Sequence, residues 1–149
     1  VSNTLPLPTG TLIVLSAQAV ADPLTRFCTT AHEATHADQI KHLGGWQAIA
    51  DYTSGELRAL REAHACVSAA FARYRLTGVM PESPESIVRS LESHLYLLSA
   101  DDKALALDVA RSQLATMATG GVPNIRVCVD LDEWLRARGF DGDRPTVNP

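Results

Sequence analysis

Residues 30 to 39 read Thr30-Ala31-His32-Glu33-Ala34-Thr35-His36-Ala37-Asp38-Gln39. Two imidazoles four residues apart on a helix differ by about 400° of rotation, so they point the same way, one turn above the other. Their ring nitrogens then fall within reach of one zinc ion at roughly 2.0–2.1 Å each. Glu33 sits about 100° around the helix from His32. There it can accept a proton from a zinc-bound water without being a ligand itself. The spacing therefore encodes a metal, a water and a base. The preceding Phe27-Cys28-Thr29-Thr30-Ala31 is small and apolar, which predicts a buried helix. A buried His, Glu and His need partners, and a metal supplies them economically.

His32-Glu33-x-x-His36 resembles the His-Glu-x-x-His motif of the zincin metallopeptidases. The extension to Gln39 is similar to the His-x-x-Gln ending of small gluzincin-type domains. A short strand just before the helix, here Thr11–Ser16, and a second helix carrying Glu-x-x-Ala are also usual in such domains. The resemblance covers roughly residues 11–77 and implies a zinc metallopeptidase: an α+β, mainly helical, zincin-like minimal domain with a small β-sheet and one zinc ion. No family pattern marks the C-terminal half.

Zinc in a hydrolase takes three protein ligands and leaves a position for water, and three residues compete for the third place. Glu62, in Glu62-Ala63-His64-Ala65, fits the Glu-x-x-Ala pattern that the resemblance calls for. It also interrupts a stripe of small residues (Ala59, Cys66, Ala69), where an unpaired carboxylate is costly to bury. Its plainer role is an exposed side chain in contact with Arg58. Glu56 begins a second Glu-x-x-Ala, but three residues after Thr53 it has a local role in a capping box. His42 has the spacing of the metzincin motif, which needs glycine where this chain has Gln39; a continuing helix carries His42 about 240° away from His36. Glu62 is the preferred ligand of the three. His64 and His94 are candidates to donate to a transition-state oxyanion, or else ordinary half-exposed helix residues.

These residues need elements to hold them. With 149 residues, 46% of them apolar and 20% charged, the chain is expected to form one domain with a real core. Residues 1–10 read as an extended lead-in and Thr11–Ser16 as a strand. The motif helix is expected from Pro23–Thr30 to about Leu43, stopped at Gly44-Gly45. Trp46–Tyr52 reads as a short helical turn. A long helix follows, capped by Thr53 with Glu56 and running to about Leu76, with Leu60, Ala63, Val67, Phe71 and Tyr74 on its apolar stripe. Ser83-Pro84 opens a helix to about Leu98. Ser99 with Asp102 caps another to about Met117. Ile125–Val129 alternates like a second strand, Asp130 caps a last helix to Arg138, and residues 140–149 read as a polar tail.

A formal net charge of −4 argues against a nucleic-acid-binding surface, and no apolar run is long enough to span a membrane. No signal-peptide pattern is visible, although Val1 is compatible with a processed or trimmed start, and three widely spaced cysteines suggest buried free thiols in a reducing, cytoplasmic setting. The function expected on these grounds is hydrolysis of a peptide or protein substrate by a zinc-bound water that Glu33 activates. The rival is a zincin-like zinc-binding module that serves as an interaction or structural domain. Retention of Glu33 favours the enzyme, since a structural zinc site needs no base.

Overall fold

In the computed structural model, residues 2–7, 10–44, 47, 53–92 and 97–140 are described. Strands β1 (Asn3–Leu7) and β2 (Gly10–Val14) form an antiparallel hairpin with Thr4 opposite Ile13. Helices follow: α1 (Ala17–Ala21), α2 (Pro23–Leu43), α3 (Gly55–Thr77), α4 (Pro84–Val88) with a 3-10 turn at Arg89–Glu92, α5 (Ala100–Ala118) and α6 (Arg126–Arg136). The described chain is thus mainly helical, with one two-stranded sheet.

Local chemistry explains most of the helix ends. Asp22 accepts a hydrogen bond from the Thr25 amide at 2.6 Å, Pro23 occupies the first turn of α2, and Gly44 closes that helix through Ile40. Helix α3 is capped by Ser54, not by the Thr53–Glu56 box that the spacing predicts. Ser54 accepts from the Leu57 amide, so the hydroxyl one residue later satisfies the orphan donor. The first helical residue, Gly55, lies so close to the Asp102 carboxylate that a Cβ there would collide with it. At the other end Gly78 adopts φ 72°, a left-handed geometry that suits glycine, and its amide binds Tyr74. Reciprocal capping boxes open α4 (Ser83, Ser86) and α5 (Ser99, Asp102).

Helix α3 is the spine. Its Ala63, Val67, Phe71 and Tyr74 are buried against Ile87, Leu91, Ala106, Ala110 and Met117 of the C-terminal half. Another face packs on α2, and the hairpin packs against α2 in turn. The α2–α3 pair is antiparallel: Thr35 meets Ser68 (hydroxyl oxygens 2.8 Å apart, buried), and further along α2 Gln39 meets Arg61. Cys66 and Cys128 are buried and Cys28 half-buried, all three as free thiols.

Three expectations are corrected. Ile125–Val129 is not a strand: helix begins at Arg126 and runs through the residues assigned to both the strand and the last helix. Ile125, Cys128, Asp132 and Leu135 are all buried, so a helical period of three and four overrides a five-residue alternation. The second strand instead comes from residues 3–7, which the sequence marks only as extended. The helix opened by Ser83 is one short turn that tightens into 3-10 geometry at Arg89, although Ile87 and Leu91 do point inward. The expected turn at Trp46–Tyr52 (apart from Gln47), the stretch containing His94 and Leu95, and the tail beyond Phe140 lie outside the described residues.

Candidate metal centre

Helix α2 carries His32 and His36 on one face, as their spacing dictates. The ring centroids are 4.9 Å apart in an edge-on arrangement, and the two Nε2 atoms are 3.2 Å apart. From α3, Glu62 brings Oε2 to 3.5 Å from His36 Nε2 and 3.7 Å from His32 Nε2. Among the described residues this is the one place where three such ligand atoms converge, all within 4.8 Å of one another.

The donor set fits a tetrahedral metal. Two ligands at about 2.0–2.1 Å from zinc, at a tetrahedral angle, sit about 3.3 Å apart. The imidazole pair already has that spacing, and the carboxylate is a few tenths of an ångström long. Protonation points the same way. Gln39 donates its amide to the Arg61 carbonyl at 3.3 Å, which turns its Oε1 towards His36 Nδ1 at 3.1 Å. Nδ1 therefore carries the proton, and Nε2 presents a lone pair to Glu62. A lone pair and a carboxylate oxygen facing each other in a buried site call for a cation between them, either a proton or a metal.

The two imidazoles differ in their hold on a proton. Burial, with the neighbouring His36 adding to it, pushes the pKa of His32 down to about 4, so it stays neutral, the form that binds metal. Burial opposes charge on His36 too, but the hydrogen bond and charge of Glu62, with help from Gln39, raise its pKa.

Glu33 is only 4% exposed. Thr4 of β1 donates to its Oε2 at 2.6 Å, and the same hydroxyl lies 3.0 Å from the Glu33 carbonyl oxygen. Its charge is felt by His36, but it makes no direct bond to the three clustered side chains. The other candidates stand apart. Glu56 is exposed in the first turn of α3. The His42 side chain is 66% exposed and lies 3.8 Å from Asp38, one turn back. His64 is half-buried on α3, its pKa lowered by burial, and is outside the cluster. Two supporting residues escaped the sequence reading. Gln39 stands out in the sequence only through its place in family motifs, not as a partner of His36, and nothing in residues 1–10 singles out Thr4.

A groove of about 630 Å³ opens beside His32. Cys28 of α2 and Cys66, Ala69 and Arg73 of α3 line one side, and the segment from Val79 to Ser90 lines the other. Burial pushes the Cys66 thiol up to about 11, so it is no ready nucleophile. Comparison with protein-family models, with curated proteins and with solved structures found no match.

Proposed function

We propose that this chain is a zinc-dependent hydrolase of the zincin, gluzincin-like type, acting on peptide bonds. The observation that carries this reading is the meeting of His32, His36 and Glu62, the three ligands that converge among the described residues, with a buried carboxylate on the adjacent residue Glu33. Zinc bound there would supply Lewis acidity, polarising a carbonyl and bringing the pKa of a water towards 7. The chain's own residues do the rest. His32, His36 and Glu62 would hold the ion, and Gln39 fixes the His36 tautomer. Glu33 Oε2 is held by Thr4, which leaves Oε1 to take a proton from the attacking water and return it to the leaving amine as the C–N bond breaks.

The alternative, a zinc-binding module with little or no activity, draws support from the same Thr4 contact: a base whose carboxylate is already hydrogen-bonded by the hairpin is less available. One experiment separates the two. Zinc content after dialysis and cleavage of an unfolded protein substrate are measured for wild type, Glu33→Gln and His32→Ala. The hydrolase reading expects Glu33→Gln to keep zinc and lose about 10²–10⁴ in rate, and His32→Ala to lose both. Equal cleavage by wild type and Glu33→Gln removes Glu33 as the base; bound zinc with no cleavage by wild type supports the module.

A further inference from the structure

The groove beside His32 follows the antiparallel α2–α3 pair away from the candidate metal centre. Arg73 lies eleven residues after Glu62 on α3, about 20° from the same face and about 16 Å further along the helix axis. Cys66 and Ala69, one and two turns on from Glu62, form a floor of small side chains between them. On the opposite wall the 3-10 turn brings Ser90 to 3.5 Å from the Cys66 thiol, and Arg89 precedes it on that wall. Both guanidinium groups are exposed on the groove, and neither makes an ion pair or side-chain hydrogen bond with a described residue. The nearby Asp22 feels Arg73, but its own carboxylate is engaged by Thr25. One acidic residue, Glu82, also lines the groove. A chain of net charge −4 thus presents, beside its candidate catalytic centre, a channel whose described lining carries Arg73, Arg89 and one acidic residue, Glu82.

We infer that this groove is the substrate-binding cleft and that it selects polypeptide segments carrying acidic side chains. The inference rests on the peptidase reading for the word substrate. An extended chain advances about 3.3 Å per residue, so a strand leaving the centre reaches Arg73 after about five residues, with Arg89 on the opposite wall. The groove volume is in the range of clefts that enclose ligands, and its small floor admits a backbone close to the helices. Glutamate or aspartate side chains then meet Arg89 and Arg73 in charge-assisted hydrogen bonds. Glu82 weakens the preference.

The test uses zinc-loaded Glu33→Gln protein and three fluorescein-labelled peptides of ten residues, identical in their Gly/Ser/Ala background and carrying Glu, Gln or Lys at alternate positions. Because the pairs are partly exposed, each contributes modestly, so fluorescence anisotropy should show the Glu peptide bound about fivefold tighter than the Gln peptide at low ionic strength. The preference should shrink below about twofold in about 0.5 M salt. Arg73→Ala and Arg89→Ala each reduce it, the double replacement abolishes it, and Glu82→Gln increases it. All of these side chains are exposed, so the fold is spared. Equal binding of the three peptides, or a preference that survives the double replacement, overturns the inference. Wild-type protein then receives the same peptides: acidic preference with bound zinc but no cleavage sinks the peptidase reading and leaves the groove selectivity standing, whereas cleavage without acidic preference does the reverse.

Discussion

Replacing Gln39 tests whether the centre is built for a metal or is a hydrogen-bonded cluster of imidazoles. Gln39 makes two bonds that span α2 and α3, one from His36 Nδ1 (3.1 Å) and one to the Arg61 carbonyl (3.3 Å). Gln39→Leu removes both, and with them the acceptor that holds a proton on Nδ1 of His36, a buried residue. Partners of this kind are worth about 10–100-fold in metal affinity, or about 1.4–2.8 kcal/mol. The cost to folding should be smaller, about 1 kcal/mol, because the Arg61 carbonyl sits inside a helix that already uses it and only the imidazole N–H is orphaned. Gln39→Glu separates the two bonds: the carboxylate accepts from Nδ1–H more strongly but repels the Arg61 carbonyl, so affinity should stay within about threefold of wild type. Competition against a fluorescent zinc chelator at fixed pH measures the affinities, and urea unfolding of the metal-free protein measures the stability. If Gln39→Leu binds zinc within about twofold of wild type while folded, the tautomer of His36 plays no part in holding a metal, and the chemical case for the centre falls with it.

Glu62→Gln should weaken zinc binding far more than Glu56→Gln, because only Glu62 reaches the imidazoles while Glu56 is exposed at the start of α3; equal losses by the same chelator assay refute this. Thr4→Val removes the donor to Glu33, and a hydrogen bond to a carboxylate is worth about 1.5–3 kcal/mol, so urea unfolding should show a loss at the low end of that range with zinc content intact. Thr4→Ser should restore most of it. Zinc affinity should fall with acidification, since the metal must displace the proton that the raised pKa of His36 retains. His32, down at about 4, holds none above that pH. The logarithm of the affinity against pH should therefore have a slope of one below the pKa of His36, flatten above it, and steepen only below about pH 4. A slope of two near pH 5.5 means that both imidazoles are charged.

The sequence determined what one or two turns of chain can determine. Asp22-Pro23 and Gly44 bound α2, Ser99 with Asp102 opens α5 and Gly78 closes α3, because caps act on backbone groups within a few residues. The shared face of His32 and His36 follows from the helical repeat alone. Ser54 caps α3 in place of Thr53, one local solution over another, whereas the tertiary structure decided the fate of the 125–129 stretch: from Arg126 on it joins α6, because Cys128, Asp132 and Leu135 bury on one side of that helix. The companion of the two imidazoles was also a tertiary matter. Glu62 and Glu56 begin the same four-residue pattern on the same helix; the small-residue stripe and a local role for Glu56 favour Glu62, but the Thr53 box on which that role rests does not cap the helix. The antiparallel docking of α3 on α2, with Thr35 against Ser68 and Gln39 against Arg61, sets the register that brings Glu62 to the imidazoles and leaves Glu56 in solvent. Thr4 over Glu33 depends on the hairpin folding back across 29 residues of chain. Contacts of that range are selected by the packing of whole faces, and no single residue type announces them.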